Sequence, residues 1–144
     1  MSEAALKAQV RRFYDEAWNS GQLAVIDELF ADDYVDHDAV QQTGGMTGKE
    51  SARAFIQVFR SAIPDLRCAI EDQIAEGDKA VSRWVATGTH EGTLMGVPAS
   101  GRSFRVDGIS IDRFDAEGRF IEGWGTWDGI ALLRQIGALP ASSE

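Results

Sequence analysis

From Leu66 onward the chain reads as four long strand-like runs, 66–75, 79–90, 102–114 and 119–127, while the half before them is patterned for helices. Glu76-Gly77-Asp78 separates the first two runs and Asp115-Ala116-Glu117-Gly118 the last two, and both are turn sequences suited to antiparallel hairpins. Helices first and a strand meander afterwards is the α+β order, in which the helices gather on one face of an antiparallel sheet. Such a sheet, strongly curved and wrapped over the N-terminal helices, encloses a cone-shaped space. Gly88, Gly108, Gly123 and Gly125 fall within the strands, where glycine serves bends, bulges or close approach of a ligand to the backbone. The 144 residues, 44% of them apolar, suit one domain over 1–144 with a real core.

The helices can be placed from periodicity. Leu6, Val10, Phe13, Tyr14, Ala17 and Trp18 recur at spacings of three and four, which predicts an amphipathic helix over 3–18 that stops near Asn19-Ser20-Gly21. A second short helix carries Leu23, Ile26, Leu29 and Phe30. Thr47-Gly48-Lys49-Glu50 has the form of a capping box, and Ala52, Phe55, Ile56 and Phe59 follow at helical spacing until Pro64. A last helix over about 129–136 ends at Gly137, with Pro140 just beyond.

Charge and composition exclude several classes. A formal charge of −9 argues against nucleic acid, whose phosphates need clustered Lys and Arg. The N-terminal residues hold no apolar leader and no run approaches the length of a membrane span, so a soluble, cytoplasmic protein is expected. The single cysteine, Cys68, sits in strand-like surroundings and reads as a small packed side chain. Two histidines and that lone cysteine form no recognised metal spacing, so no metal is expected.

Proton transfer beside a carbonyl needs a base near the carbon acid and a donor near the developing oxyanion. His90, His37 and Asp128 are the first candidates, with Asp36, Asp38 and Glu122 behind them. His90 ends a strand before the loop 91–101, where it either faces a pocket mouth or holds that loop closed. His37, between Asp36 and Asp38, is either a catalyst or a solvated loop residue. Asp128 is either an acid/base group or the N-cap of the last helix, accepting from Ile130 or Ala131. Trp84, Trp124 and Trp127 along the strands and Tyr14, Trp18, Phe55 and Phe59 on the helices either fill a core or line a cavity for a flat, apolar guest. Trp124 is the preferred wall residue, although strand alternation can turn it to the opposite face.

Phe13-Tyr14-Asp15-Glu16-Ala17-Trp18-Asn19, Leu29-Phe30-Ala31-Asp32-Asp33-Tyr34-Val35-Asp36-His37, Gly88-Thr89-His90-x-Gly92 with Gly96-Val97-Pro98 and Gly101-Arg102, and Leu132-Leu133-Arg134-Gln135-Ile136-Gly137 together resemble the SnoaL-like polyketide cyclases. That family, also called ester cyclase-like, belongs to the nuclear transport factor 2-like superfamily. The resemblance implies a cone-shaped α+β roll with an internal pocket for a small apolar or aromatic molecule, homodimers through the outer sheet face, and no cofactor. It also implies acid/base chemistry by one pocket carboxylate, as in intramolecular aldol ring closure. Aligned on Leu133–Gly137, however, the cyclases' catalytic aspartate falls at Gly125, and Ser110 falls where they carry a further pocket histidine; His90 matches a family histidine. Two functions therefore stay open. One is a cofactor-independent enzyme acting on a carbonyl-containing substrate; the other is a non-catalytic binding domain that has lost its acid/base residue.

Overall fold

The N-terminal pattern folds as a helix that changes pitch partway. The computed structural model describes residues 1–38 and 47–140. Helix α1 covers Glu3–Phe13, capped by the Ser2 hydroxyl, which accepts the Ala5 N–H at 3.1 Å. The expected continuation to residue 18 instead forms a π-helical turn over Tyr14–Asn19. Asn19 then fastens that turn to the sheet, its amide exchanging hydrogen bonds with the backbone N–H and C=O of Cys68 at 2.7 and 2.9 Å.

Helix α2 (Val25–Leu29) leads into strand β1 (Phe30–Asp36), and helix α3 (Lys49–Ala62) follows. The capping box does not form: Gly48 holds the N-cap position of α3, without a side-chain cap bond. Strands β2 (Arg67–Glu76), β3 (Lys79–Thr89), β4 (Ser103–Phe114) and β5 (Phe120–Trp127) match the four expected runs, and helix α4 (Gly129–Gln135) closes the described chain.

The sheet order is β1-β5-β4-β3-β2. Its four later strands are the antiparallel meander expected from the turns, with Glu76 paired to Lys79 across the first hairpin. The fifth strand corrects the expectation, because β1 lies parallel to β5 and the sheet is therefore mixed. Periodicity places Phe30 in the second short helix and gives no strand over 31–36, because the exposed pair Asp32-Asp33 interrupts the two-residue alternation.

On β4 the alternation is strict. Phe104, Val106, Gly108, Ser110, Asp112 and Phe114 turn toward the helices, and Ile109 and Ile111 turn away. The apolar part of this inner face packs on α1, where Phe30 and Phe120 stack at 4.5 Å and 4° beside Phe13 and Phe114. Between this inner face, the π-helical turn and α3 a cavity of about 150 Å³ opens.

Candidate active site

One end of this cavity is polar because the inner row of β4 carries Ser110 and Asp112 among apolar neighbours. Asp112 is only 8% exposed, faces the cavity, and has no hydrogen-bond partner among the described residues. Burial first, and the charge of Asp36 second, push its carboxyl up to about 7. Two buried phenols stand near it. Tyr14 comes from the π-helical turn and Tyr34 from β1, and burial together with the Asp112 charge holds both well above the usual tyrosine range. They remain protonated donors wherever Asp112 titrates.

Gly123 brings these groups together. A Cβ there would lie 2.3 Å from the Tyr34 hydroxyl and 3.3 Å from Asp112 Oδ1, so only glycine lets the phenol and carboxyl approach the β5 backbone. Ser110 accepts from Trp84 Nε1 at 3.0 Å. Indole is a donor only, so this bond leaves the Ser110 proton to be donated onward, toward the Tyr14 oxygen beside it.

Asp36 and Asp38 complete the polar end from the end of β1, Asp38 N–H donating to Asp36 Oδ1 at 2.9 Å. The Asp38 carboxylate in turn accepts the backbone N–H of Gly125. Its Oδ2 lies 3.9 Å from where a Gly125 Cβ would stand, with Ser110 Oγ at 3.4 Å. The side-chain space at position 125 is thus open, and it is bordered by a carboxylate from the turn after β1.

The remaining wall is aromatic. Trp18 and Phe55 meet edge to face at 5.8 Å, Phe55 and Phe59 at 5.0 Å, and Phe59 and Trp127 at 6.0 Å. Trp84 lies flat over Gly108, where any Cβ would come within 2.1 Å of its ring. Cys68 borders the same space, its thiol pushed up to about 12 by burial. Of the expected wall residues, Tyr14, Trp18, Phe55, Phe59, Trp84, Ser110 and Gly125 all border the cavity.

Trp124 borders it too, but register pairs it with the exposed Ile111, so its ring lies on the outer sheet face. There it stacks on His37 at 4.9 Å. His37 is bonded through Nε2 to Glu122 Oε1 at 2.8 Å, and Glu122 also accepts from Arg113 at 2.9 Å. Its bond with His37 first, and Arg113 second, hold the Glu122 carboxyl below its ordinary value. This is an outer-face network rather than a cavity group.

His90 is fully buried yet is not one of the cavity's lining residues. The Ser100 N–H donates to its Nδ1 at 3.2 Å, and the Ser100 hydroxyl lies 2.8 Å from the same atom. A neutral ring bonded this way carries its proton on Nε2, which finds no partner among the described residues. The side chain pins the loop 91–101, which was the alternative to a place at the pocket mouth. Asp128 likewise takes the structural alternative, capping α4 by accepting the Ala131 N–H at 2.9 Å.

Sequence reasoning therefore missed two polar residues of the cavity, Tyr34 and Asp112. The signal of Asp112 was present: it is the one charged position in the inward phase of β4. Among the described residues no group of three His, Cys, Asp or Glu side chains is arranged to hold a metal, and no helix is long and apolar enough to cross a membrane.

A curved sheet over helices, enclosing an aromatic cavity with a buried carboxyl at one end, defines a small-molecule enzyme fold of the nuclear transport factor 2-like class. The chain belongs to the SnoaL-like polyketide cyclase family, whose profile matches residues 8–136. TsrD from Streptomyces laurentii is 32% identical, with 96% of this chain and 99% of that one covered and a TM-score of 0.87. IdmH from Streptomyces antibioticus, a candidate polyketide cyclase, is 31% identical over 92% of this chain and 98% of its own, with a TM-score of 0.78. AclR from Streptomyces galilaeus, a candidate hydroxylase, is 26% identical over 99% and 87%, with a TM-score of 0.83. No functionally curated protein gives a significant match.

Proposed function

We propose that the cavity is the active site of a cofactor-independent enzyme that moves a proton on an apolar, carbonyl-containing small molecule, as in aldol-type cyclisation or isomerisation. The observation that carries this reading is Asp112, a buried cavity carboxyl brought to about 7 and standing near two protonated phenols. A group with that affinity both takes and returns a proton near neutrality, where general acid/base catalysis is most efficient. Asp112 acts as the base. Tyr14 and Tyr34 donate to the carbonyl oxygen as it gains charge, and the aromatic wall holds the ring system and excludes water. His90 and Asp128 take no part in the proton transfer; they hold the loop and α4 that surround the cavity.

Deuterium exchange at the α-carbon of 2-tetralone, followed by NMR, tests this without knowledge of the natural substrate. The protein should accelerate exchange over buffer, and Asp112→Asn should lower that acceleration by roughly 10²–10⁴ with its circular dichroism unchanged. An Asp112→Asn variant as active as the parent overturns the assignment. Gly125 favours a second reading, in which the cavity binds without turnover because the aspartate of the aligned cyclases is missing there. Binding of the ketone with no exchange by the parent protein would select that reading. We also propose a cytoplasmic location and a homodimer, the latter supported by the exposed Ile74, Ile109 and Ile111 of the sheet.

A further inference from the structure

The charged groups around the cavity are all of one sign. Asp36, Asp38 and Asp112 border it, and no Lys, Arg or His does so among the described residues. The sequence of 39–46 adds none. Asp112 is more than nine-tenths buried, looks into the space, and accepts no hydrogen bond from any described residue. A buried carboxylate without a donor is costly to keep ionised, and the cost is relieved by a cation delivered in contact with it. Trp84 and Tyr14 flank the polar end, and Trp127 and Phe55 stand in the wall beyond. Aromatic faces attract cations when water is excluded.

We propose that the ligand of this cavity carries a protonated nitrogen next to its apolar ring body, and that this ammonium seats at the polar end between Asp112 and the faces of Trp84 and Tyr14. The inference rests on the cavity being a small-molecule site, as stated above, and adds the substrate class: an amine-bearing aromatic or alicyclic ketone rather than a neutral or acidic one. A ligand bearing a carboxylate or phosphate at that end would meet three aspartates and no counter-charge. It would also approach through the field of a chain with a net charge of −9.

Three probes of one shape separate the possibilities: 2-naphthylmethylamine, 2-naphthylmethanol and 2-naphthoate, titrated at pH 7.5 into the whole protein with indole N–H resonances as the readout. The ammonium should bind at least about tenfold more tightly than the alcohol, and the carboxylate should be weakest. In Asp112→Asn the ammonium should fall to the affinity of the alcohol, while the alcohol itself stays within about threefold of its parent value. Equal binding of amine and alcohol by the parent, or an amine preference that survives Asp112→Asn, overturns the inference while leaving the cavity as a small-molecule site. Failure of all three probes to shift the indole signals overturns both.

Discussion

A carboxyl in an apolar cavity affects stability as well as chemistry. Asp112 has its folded-state affinity raised to about 7 from an ordinary value of 3.8, so between those limits the folded chain binds more protons than the unfolded one. Stability from this group is then fully present at acid pH and is lost as pH rises through about 7, up to a few kcal/mol at about 1.4 kcal/mol per pH unit of displacement. Asp112→Asn removes the titration. Its melting temperature relative to the parent should therefore be several degrees higher at pH 8 than the same difference at pH 5; an equal difference at both would show that Asp112 titrates normally. His90 shows the opposite case. Histidine draws attention because it titrates near neutrality, yet this ring is sealed in a loop clamp with Ser100. Residue type alone favoured His90, whereas strand phase pointed to Asp112. Phase is the better guide, since a charged side chain in the buried row of a strand must meet a cavity, a partner or a large cost.

At the scale of elements, the four meander strands and helix α4 were legible because each has a sustained period and a glycine or acidic turn at its end. What local pattern did not carry was set by long-range contact. Strand β1 exists through pairing with β5 ninety residues later, Phe30 opposite Phe120, and the pitch change at Tyr14 is fixed by Asn19 reaching Cys68. Both missed elements deliver cavity residues: β1 carries Tyr34 and Asp36, and the π-helical turn carries Tyr14 and Trp18. Departures from regular helix often sit at functional sites, where they re-aim side chains. Of the strand glycines, Gly88, Gly108 and Gly123 likewise proved to be places of close approach, though by side chains of the protein itself, while the space at Gly125 is open. At Gly108 the Trp84 ring fills the space of any Cβ. Gly108→Ala should force that ring off its rotamer, break its bond to Ser110, and cost roughly 1–3 kcal/mol in stability, as overpacking does. Chemical denaturation with tryptophan emission as the probe would show it as a lower midpoint and a shifted native spectrum; a variant identical to the parent in both would mean that Trp84 is not held there.

For the whole molecule, the two faces of one sheet divide the work. The inner face is committed to core and cavity, which leaves the outer face to meet solvent or another copy of the chain. Ile74 is 65% exposed, Ile109 45% and Ile111 37%, and the pairing of Ile74 with Val81 and of Val81 with Ile111 sets three apolar side chains in one row across β2, β3 and β4. Val85, in the same phase of β3 as Val81, is buried within the single chain and adds nothing to this surface. Scattered exposed apolar residues need no explanation, but a contiguous row across three strands marks a surface suited to association. A self-complementary sheet face of this kind fits a two-fold pair, since each copy offers the same patch. Light scattering at micromolar concentration should accordingly give twice the 15.7 kDa chain mass. Ile111→Lys places a charge at one end of the row, beside Ile109, and should return the mass to one chain with the fold intact, because the side chain points away from the core. A parent protein that scatters as a single chain would remove the dimer from the proposal and leave the cavity chemistry untouched, since every group assigned to that chemistry borders the cavity, away from the outer face.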